Sequence, residues 1–311
     1  LPPAKEKFEH SEKQASIEEA EILVFGDSFF EFSRHKQFAE RLSDDFSRKV
    51  HYVNNDFPLE YLATHGYQDT TPKMVLFQRV ERYIPVAFED PHTIPGPAPA
   101  GEEPPPLVKS LIYMKDKIFY SSSEQLYDAL LKRSYLTTGI YSHLVTLKFD
   151  IYGSISGLTP VYHLDDDQSW LFYHDQVNDA KTSFYYRHTG EEMDSICDHM
   201  AGLQKKLKEY YNMELIYLPV PAKFTLYHDL VDPEAEYNQF LPRLYEGLNE
   251  RRVRYVNIFD DFLESDTLLY YRTDSHWNQK GIDIAYRETL EAIRSNPELK
   301  PLLYRRNLSS L

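Results

Sequence analysis

The sequence predicts an α/β protein: a mainly parallel sheet flanked by helices, plus an inserted region of irregular and β-hairpin character. Three observations carry that prediction. Ile22-Leu23-Val24-Phe25 and Leu215-Ile216-Tyr217-Leu218 are short, unbroken apolar runs, the pattern of strands buried on both faces. Helical patterns follow such runs near both ends of the chain, and alternating strands and helices build layered sheets. From about 91 to 190 the alternation breaks, as it would at an insertion.

Residues 1–20 are polar and charged and read as a frayed lead-in or a surface helix. Residues 21–311 read as one domain. The first strand ends at Gly26. Ser28 follows on a strand-to-helix turn, and Phe38, Leu42 and Phe46 recur at helical spacing through Phe46. HYVNN (51–55) is a second strand and KMVLFQRVERY (73–83) a third. Residues 89–106 hold too many prolines for a regular element, and the insertion runs over about 107–190. Within it, Ser121-Ser122-Ser123-Glu124 looks like a helix start leading through Leu126, Leu130 and Leu131. Residues 160–174 read as two strands around an acidic turn. Met193, Ile196, Met200, Leu203 and Leu207 form one face of a helix from 191. The strand ELIYLPVP comes next, then a helix over 237–251, a strand over 254–260, a loop through TLLYYRTDSHWNQKG and a closing helix from Gly281.

The chain has 311 residues and a formal charge of −15, which makes nucleic acid and anionic lipid poor partners. Cys197 is the only cysteine, so no disulfide framework exists. No apolar run is long enough to span a bilayer as a helix. Tyrosine is abundant, at 25, and such rings suit sugar faces as well as packing. The chain begins at Leu1 and shows no secretory n-region or h-region, so a signal or anchor segment is expected to be absent from it.

Two motifs carry chemistry. Gly26-Asp27-Ser28 lies just past the first strand, where open α/β sheets place their sites and a helix N-terminus offers N–H groups to a developing oxyanion. Thr273-Asp274-Ser275-His276-Trp277 precedes the last helix. A serine needs a base to become a nucleophile, and the base needs an acceptor that fixes its tautomer. Asp274 and His276, two apart, suit those two roles toward Ser28. Each motif alone is better read as a turn; their joint placement raises the catalytic reading.

These residues resemble the SGNH (GDSL) hydrolase superfamily. FGDSF with TDSHWN, together with KMVLFQRVERYIP and YLPVPAKFTLYHDL, is more specifically similar to the SGNH-hydrolase-like domain of alginate O-acetyltransferase proteins. That resemblance implies a three-layer SGNH-hydrolase-like fold. It implies an O-acetyltransferase or a carbohydrate acetyl-esterase with Ser28 as nucleophile, His276 as base and Asp274 as its orienter; the alternative from another class is a non-catalytic glycan-binding scaffold on the same fold. It further implies a polysaccharide or oligosaccharide substrate, a membrane acyl-carrier protein as acetyl donor, and a periplasmic or extracellular location. The superfamily's Gly-x-Asn-Asp block is missing, and Val80-Glu81-Arg82-Tyr83 stands where it would be expected. The common Asp-x-x-His is here Asp-x-His, and it follows the serine, whereas in some alginate-acetylation proteins it precedes it.

Around that core, the Ser28 N–H is the first oxyanion donor, and Arg82 or Tyr83 is the candidate for a second donor or a substrate grip. A structural salt bridge is the plainer reading of Glu81-Arg82. Asp27 reads as a cap or loop tie. Trp277 is a sugar wall or core packing, and Lys223 and Tyr227 are candidates to line the cleft. No cofactor and no metal are expected: Asp165-Asp166-Asp167 lacks the glycine and distal glutamate of a calcium loop, and Cys197-Asp198-His199 lacks further soft ligands nearby.

Overall fold

The computed structural model describes residues 15–31, 38–54, 57–71, 73–88, 161–163, 169–177 and 180–300. The Pro-rich stretch 89–106, the helix expected after Ser121 and the acidic turn at 165–167 lie outside the described residues.

Four parallel strands form the sheet in the order β2-β1-β3-β6. They are β1 (Ile22–Gly26), β2 (Val50–Asn54), β3 (Lys73–Val80) and β6 (Met213–Val220). In register, Ile22 of β1 sits beside Val50 of β2 and Met74 of β3, and Lys73 of β3 sits beside Met213 of β6. The apolar runs are unbroken because successive residues serve opposite faces. Leu23, Phe25, Val75, Phe77, Leu215 and Tyr217 enter one core cluster, and Ile22, Val24, Met74, Leu76, Ile216 and Leu218 enter the other. Helix, sheet and helix therefore stack in three layers, an SGNH-like α/β arrangement.

On the first face lie α3 (Pro58–Thr64), α4 (Ile84–Phe88), α5 (Gly190–Tyr211) and α7 (Phe240–Glu250). Ile17 and Ala20, at the end of the polar lead-in, are also buried there, and Ala15 N–H donates to Val50 O at 3.3 Å. On the second face lie α2 (Phe38–Phe46) and α9 (Gln279–Ser295), which packs Ile282, Ala285, Tyr286 and Ile293 inward. Short helices α1 (Ser28–Glu31), α6 (Lys223–Tyr227) and α8 (Phe259–Leu263) follow strand ends or loops.

The hairpin expected in the insertion is present as β4 (Val161–His163) paired antiparallel with β5 (Ser169–Leu171). The strand expected over 254–260 is not. Tyr255 makes a single parallel bridge to Tyr217. Arg252, just before it, has φ 56°, and Asn257 Oδ1 just after it accepts from Phe259 N–H at 3.0 Å in the turn that leads into α8. A turn and a helix start bracket the segment and cut the strand to one residue.

Candidate active site

Gly26 ends β1 because nothing larger fits. A Cβ there would lie 2.8 Å from the Phe30 ring and 2.9 Å from Gln78 Oε1. Gln78 Oε1 accepts from Asp27 N–H at 3.0 Å. The Asp27 carboxylate accepts from Phe29 N–H at 3.0 Å and from Val80 N–H at 3.1 Å, so it ties the β1 turn to the end of β3. Asp27 is thus the loop tie expected of it. The turn leaves Ser28 exposed, and its backbone N–H has no acceptor among the described residues.

His276 arrives from the far end of the chain. Its Nε2 lies 2.9 Å from Ser28 Oγ, and its Nδ1 lies 2.5 Å from Asp274 Oδ1. A carboxylate only accepts, so Nδ1 carries the proton and Nε2 is left to accept from the serine hydroxyl. Asp274 Oδ1 also accepts from His276 N–H at 3.0 Å, which closes the two-residue turn and points carboxylate and ring the same way. The Phe29 ring, 4.9 Å from the imidazole by centroids, backs it from below. The side chains of His276 and Asp274 keep 17% and 24% exposure, so both are partly shielded from water.

The loop bearing this pair is held at its base. Tyr270 and Trp277 bridge across it, and Asn278 N–H donates to Leu269 O at 2.7 Å. The Asn278 side chain caps α9, accepting from the N–H groups of Lys280 and Gly281. Gly281 is required for close approach: a Cβ would lie 2.7 Å from Leu269 O.

Residues 166–306 match the family model for the SGNH hydrolase-like domain, acetyltransferase AlgX. The AlgX-like stretch contains β5, β6, Lys223 and the Asp274–His276 loop, and it stops short of Ser28, which the sheet brings to it. The match and the fold together support chemistry of acetyltransferase or esterase type. No curated protein and no solved structure matches the chain.

The structure separates the remaining candidates. Arg82 is buried at 5% exposure, with its guanidinium carbon 4.8 Å from the Tyr83 ring, 4.9 Å from Tyr173 and 5.8 Å from Phe29. Its Nε and Nη1 have no hydrogen-bond partner among the described residues. The salt bridge to Glu81 is not formed. The Glu81 carboxylate instead accepts from Thr225 Oγ1 (2.7 Å), Tyr237 OH (2.7 Å) and Ala222 N–H (2.8 Å). Burial raises the Glu81 carboxyl above its usual range, and these three donors pull it back. Tyr83 is half-buried, and its hydroxyl, together with burial, pushes the Tyr173 hydroxyl up to about 12. A cavity of about 10 Å³ opens between Glu81, Arg82 and Gln176, room for roughly one water and not for a sugar ring.

Three residues sit elsewhere than a cleft wall. Trp277 is fully buried, its Nε1–H donating to Phe29 O at 3.0 Å, so packing is its role. Lys223 is fully buried with its ammonium on three backbone carbonyls. The Tyr227 OH accepts from Leu269 N–H at 2.8 Å. The latter two brace the His276 loop instead of lining a cleft. Tyr173, next to the hairpin, and Gln78 were not singled out in the sequence. One tyrosine among 25 carries no spacing signal, and a glutamine inside a strand run reads as filler.

Cys197 is a core residue. Gly247 packs so close that a Cβ there would meet its sulfur at 2.6 Å, and burial pushes its thiol up to about 11. Its neighbours diverge: Asp198 pairs with Arg251 at 2.5 Å, and His199 bonds the Phe88 carbonyl. Among the described residues no three His, Cys, Asp or Glu side chains gather as a metal-ligand set.

Proposed function

We propose that this protein is a serine-dependent O-acetyltransferase acting on an exported polysaccharide, with Ser28 as nucleophile, His276 as general base and Asp274 as the group that orients and stabilises the imidazolium. The observation that carries this reading is the 2.9 Å approach of Ser28 Oγ to His276 Nε2, within reach for direct proton transfer. Ser28 Oγ attacks an acetyl carbonyl, its proton passes to Nε2, and the imidazolium returns that proton to the leaving oxygen. The resulting acetyl-Ser28 ester is opened by a sugar hydroxyl deprotonated by the same nitrogen. The unpartnered Ser28 N–H supports a role as first oxyanion donor, and Arg82 with Tyr83 remains our candidate for the second donor or the grip on substrate. A cell-envelope location and a membrane acyl-carrier partner as acetyl donor belong to the same proposal.

The test is incubation with an activated acetyl ester, with and without neutral and acidic oligosaccharides, followed by mass spectrometry. Acetylated oligosaccharide is the expected product, and acetate alone would make the protein an acetyl-esterase on the same chemistry. Ser28→Ala is expected to fold normally, because Ser28 is exposed, and to lose activity by on the order of 10³-fold or more. Full activity in that variant would sink the acyl-enzyme.

A further inference from the structure

Lys223 opens α6 just after Pro219-Val220-Pro221-Ala222 leaves the sheet. It is completely buried. A lysine is almost never placed so without a compensating partner, because taking an ammonium out of water is expensive. Among the described residues no carboxylate lies within ion-pair distance of its Nζ. Three carbonyl oxygens do the work instead: Arg272 O at 2.6 Å, Leu171 O at 2.7 Å and Asp274 O at 3.1 Å. An ammonium has three protons, so every one is used, and a neutral amine would leave one carbonyl unserved. The Trp170 and Phe172 rings stand 5.2 and 5.0 Å from Nζ and close the site with their π faces.

The three carbonyls belong to two segments about a hundred residues apart in the sequence: the β5 end, and the loop that carries His276. Leu171 N–H also donates to Arg272 O at 2.9 Å, so Lys223 sits at the crossing of hairpin and loop. It grips the loop on either side of Thr273, at Arg272 and at Asp274 itself. Since Asp274 Oδ1 holds His276 through the ring and through the backbone, fixing the Asp274 backbone fixes the imidazole. A methionine of similar volume would fill the same space but leave these carbonyls without their donor, so the ammonium is what ties the two segments together.

We propose that Lys223 is a positioning residue: its buried ammonium clamps the Asp274–His276 loop to β5 and so sets the distance from His276 Nε2 to Ser28 Oγ. The proposal rests on the reading of Ser28 and His276 above. The groups around the ammonium are Asp274 and Arg272 of the loop and the Trp170 and Phe172 rings of the hairpin segment. Burial pushes the Lys223 ammonium down to about 7 and Asp274 pulls it back up, so the clamp keeps its full proton count only at neutral pH and below.

The test is Lys223→Met on the full chain, read two ways. The first is the split of the acetyl-transfer kinetics: kcat is expected to fall by about 10²-fold with KM unchanged, since Lys223 touches no substrate and acts through loop placement. The second is the far-downfield proton resonance of the His276–Asp274 hydrogen bond at pH 6, expected in the parent protein and lost or broadened in the variant. That resonance needs no turnover, so it tests the clamp even if the acetyl-transfer reading fails, and Ser28→Ala tests that reading separately. Should the methionine variant not fold, Lys223→Gln, which keeps two N–H donors, takes its place with the same two readouts and a smaller drop. A folded variant with parental kcat and an unchanged downfield proton would overturn the proposal.

Discussion

At the scale of single residues, the Asp274 carboxylate has two separable duties. One oxygen, Oδ1, accepts from both the backbone N–H and the ring Nδ1–H of His276. Asparagine can present an oxygen to the same two donors, so Asp274→Asn keeps the turn and removes only the negative charge that, in the proposed mechanism, would stabilise an imidazolium. We expect the variant to melt within a degree or two of the parent and to lose kcat by on the order of 10²–10⁴-fold, measured in the acetyl-ester assay. A loss of the same size accompanied by a collapsed melting temperature would mean that the carboxylate is structural. The pair was legible in the sequence because the chemistry demands an acid and an imidazole at short spacing after a turn. Lys223 was not legible as what it is, since a lysine after a strand end reads as a surface or cleft residue. Only burial and the three carbonyls reveal the clamp.

At the scale of elements, what could be read depended on whether a strand has helices on both sides. β1, β3 and β6 do, and each is buried along its whole length. Their apolar runs therefore announced them. Residues 254–260 have the composition of a strand as well, but composition is blind to the φ of 56° at Arg252 and to the turn in which Asn257 Oδ1 accepts from Phe259 N–H just before the next helix. The long helix α5 is the reverse case, with its face and its start both legible. It begins in a reciprocal capping box between Thr189 and Glu192. The Thr189 backbone N–H, then Lys181, lower the Glu192 carboxyl to about 2, against 4.5 for an unperturbed side chain. The folded state thus binds fewer protons than the unfolded one between those values. Its contribution is present above about 4.5 and disappears as pH falls toward 2. Glu192→Gln preserves the box geometry without the charge. Urea unfolding series are expected to show parent and variant furthest apart above pH 5 and converging near pH 2. A gap independent of pH would remove the charge from the account.

At the scale of the whole molecule, the site exists only because the sheet brings the two ends of the chain together. Ser28 and His276 are 248 residues apart, and Trp277 makes the join mechanical. Its indole N–H donates to the carbonyl of Phe29, the residue after Ser28, while its ring packs on Phe29 and Phe30. The residue after the proposed base therefore bonds the residue after the proposed nucleophile. Trp277→Phe keeps an aromatic ring, loses volume in the second core and leaves a buried carbonyl unserved. We expect about 2–4 kcal/mol of lost stability in urea unfolding, from cavity and unpaired acceptor together. Coupling between the two ends predicts more than that. At a temperature where the variant is still fully folded, kcat should fall about tenfold or more while KM holds, because the two loops would no longer be registered to a few tenths of an ångström. A variant that loses stability but keeps its kcat would show that Ser28 and His276 are positioned independently, each by its own local ties to Asp27 and to Lys223.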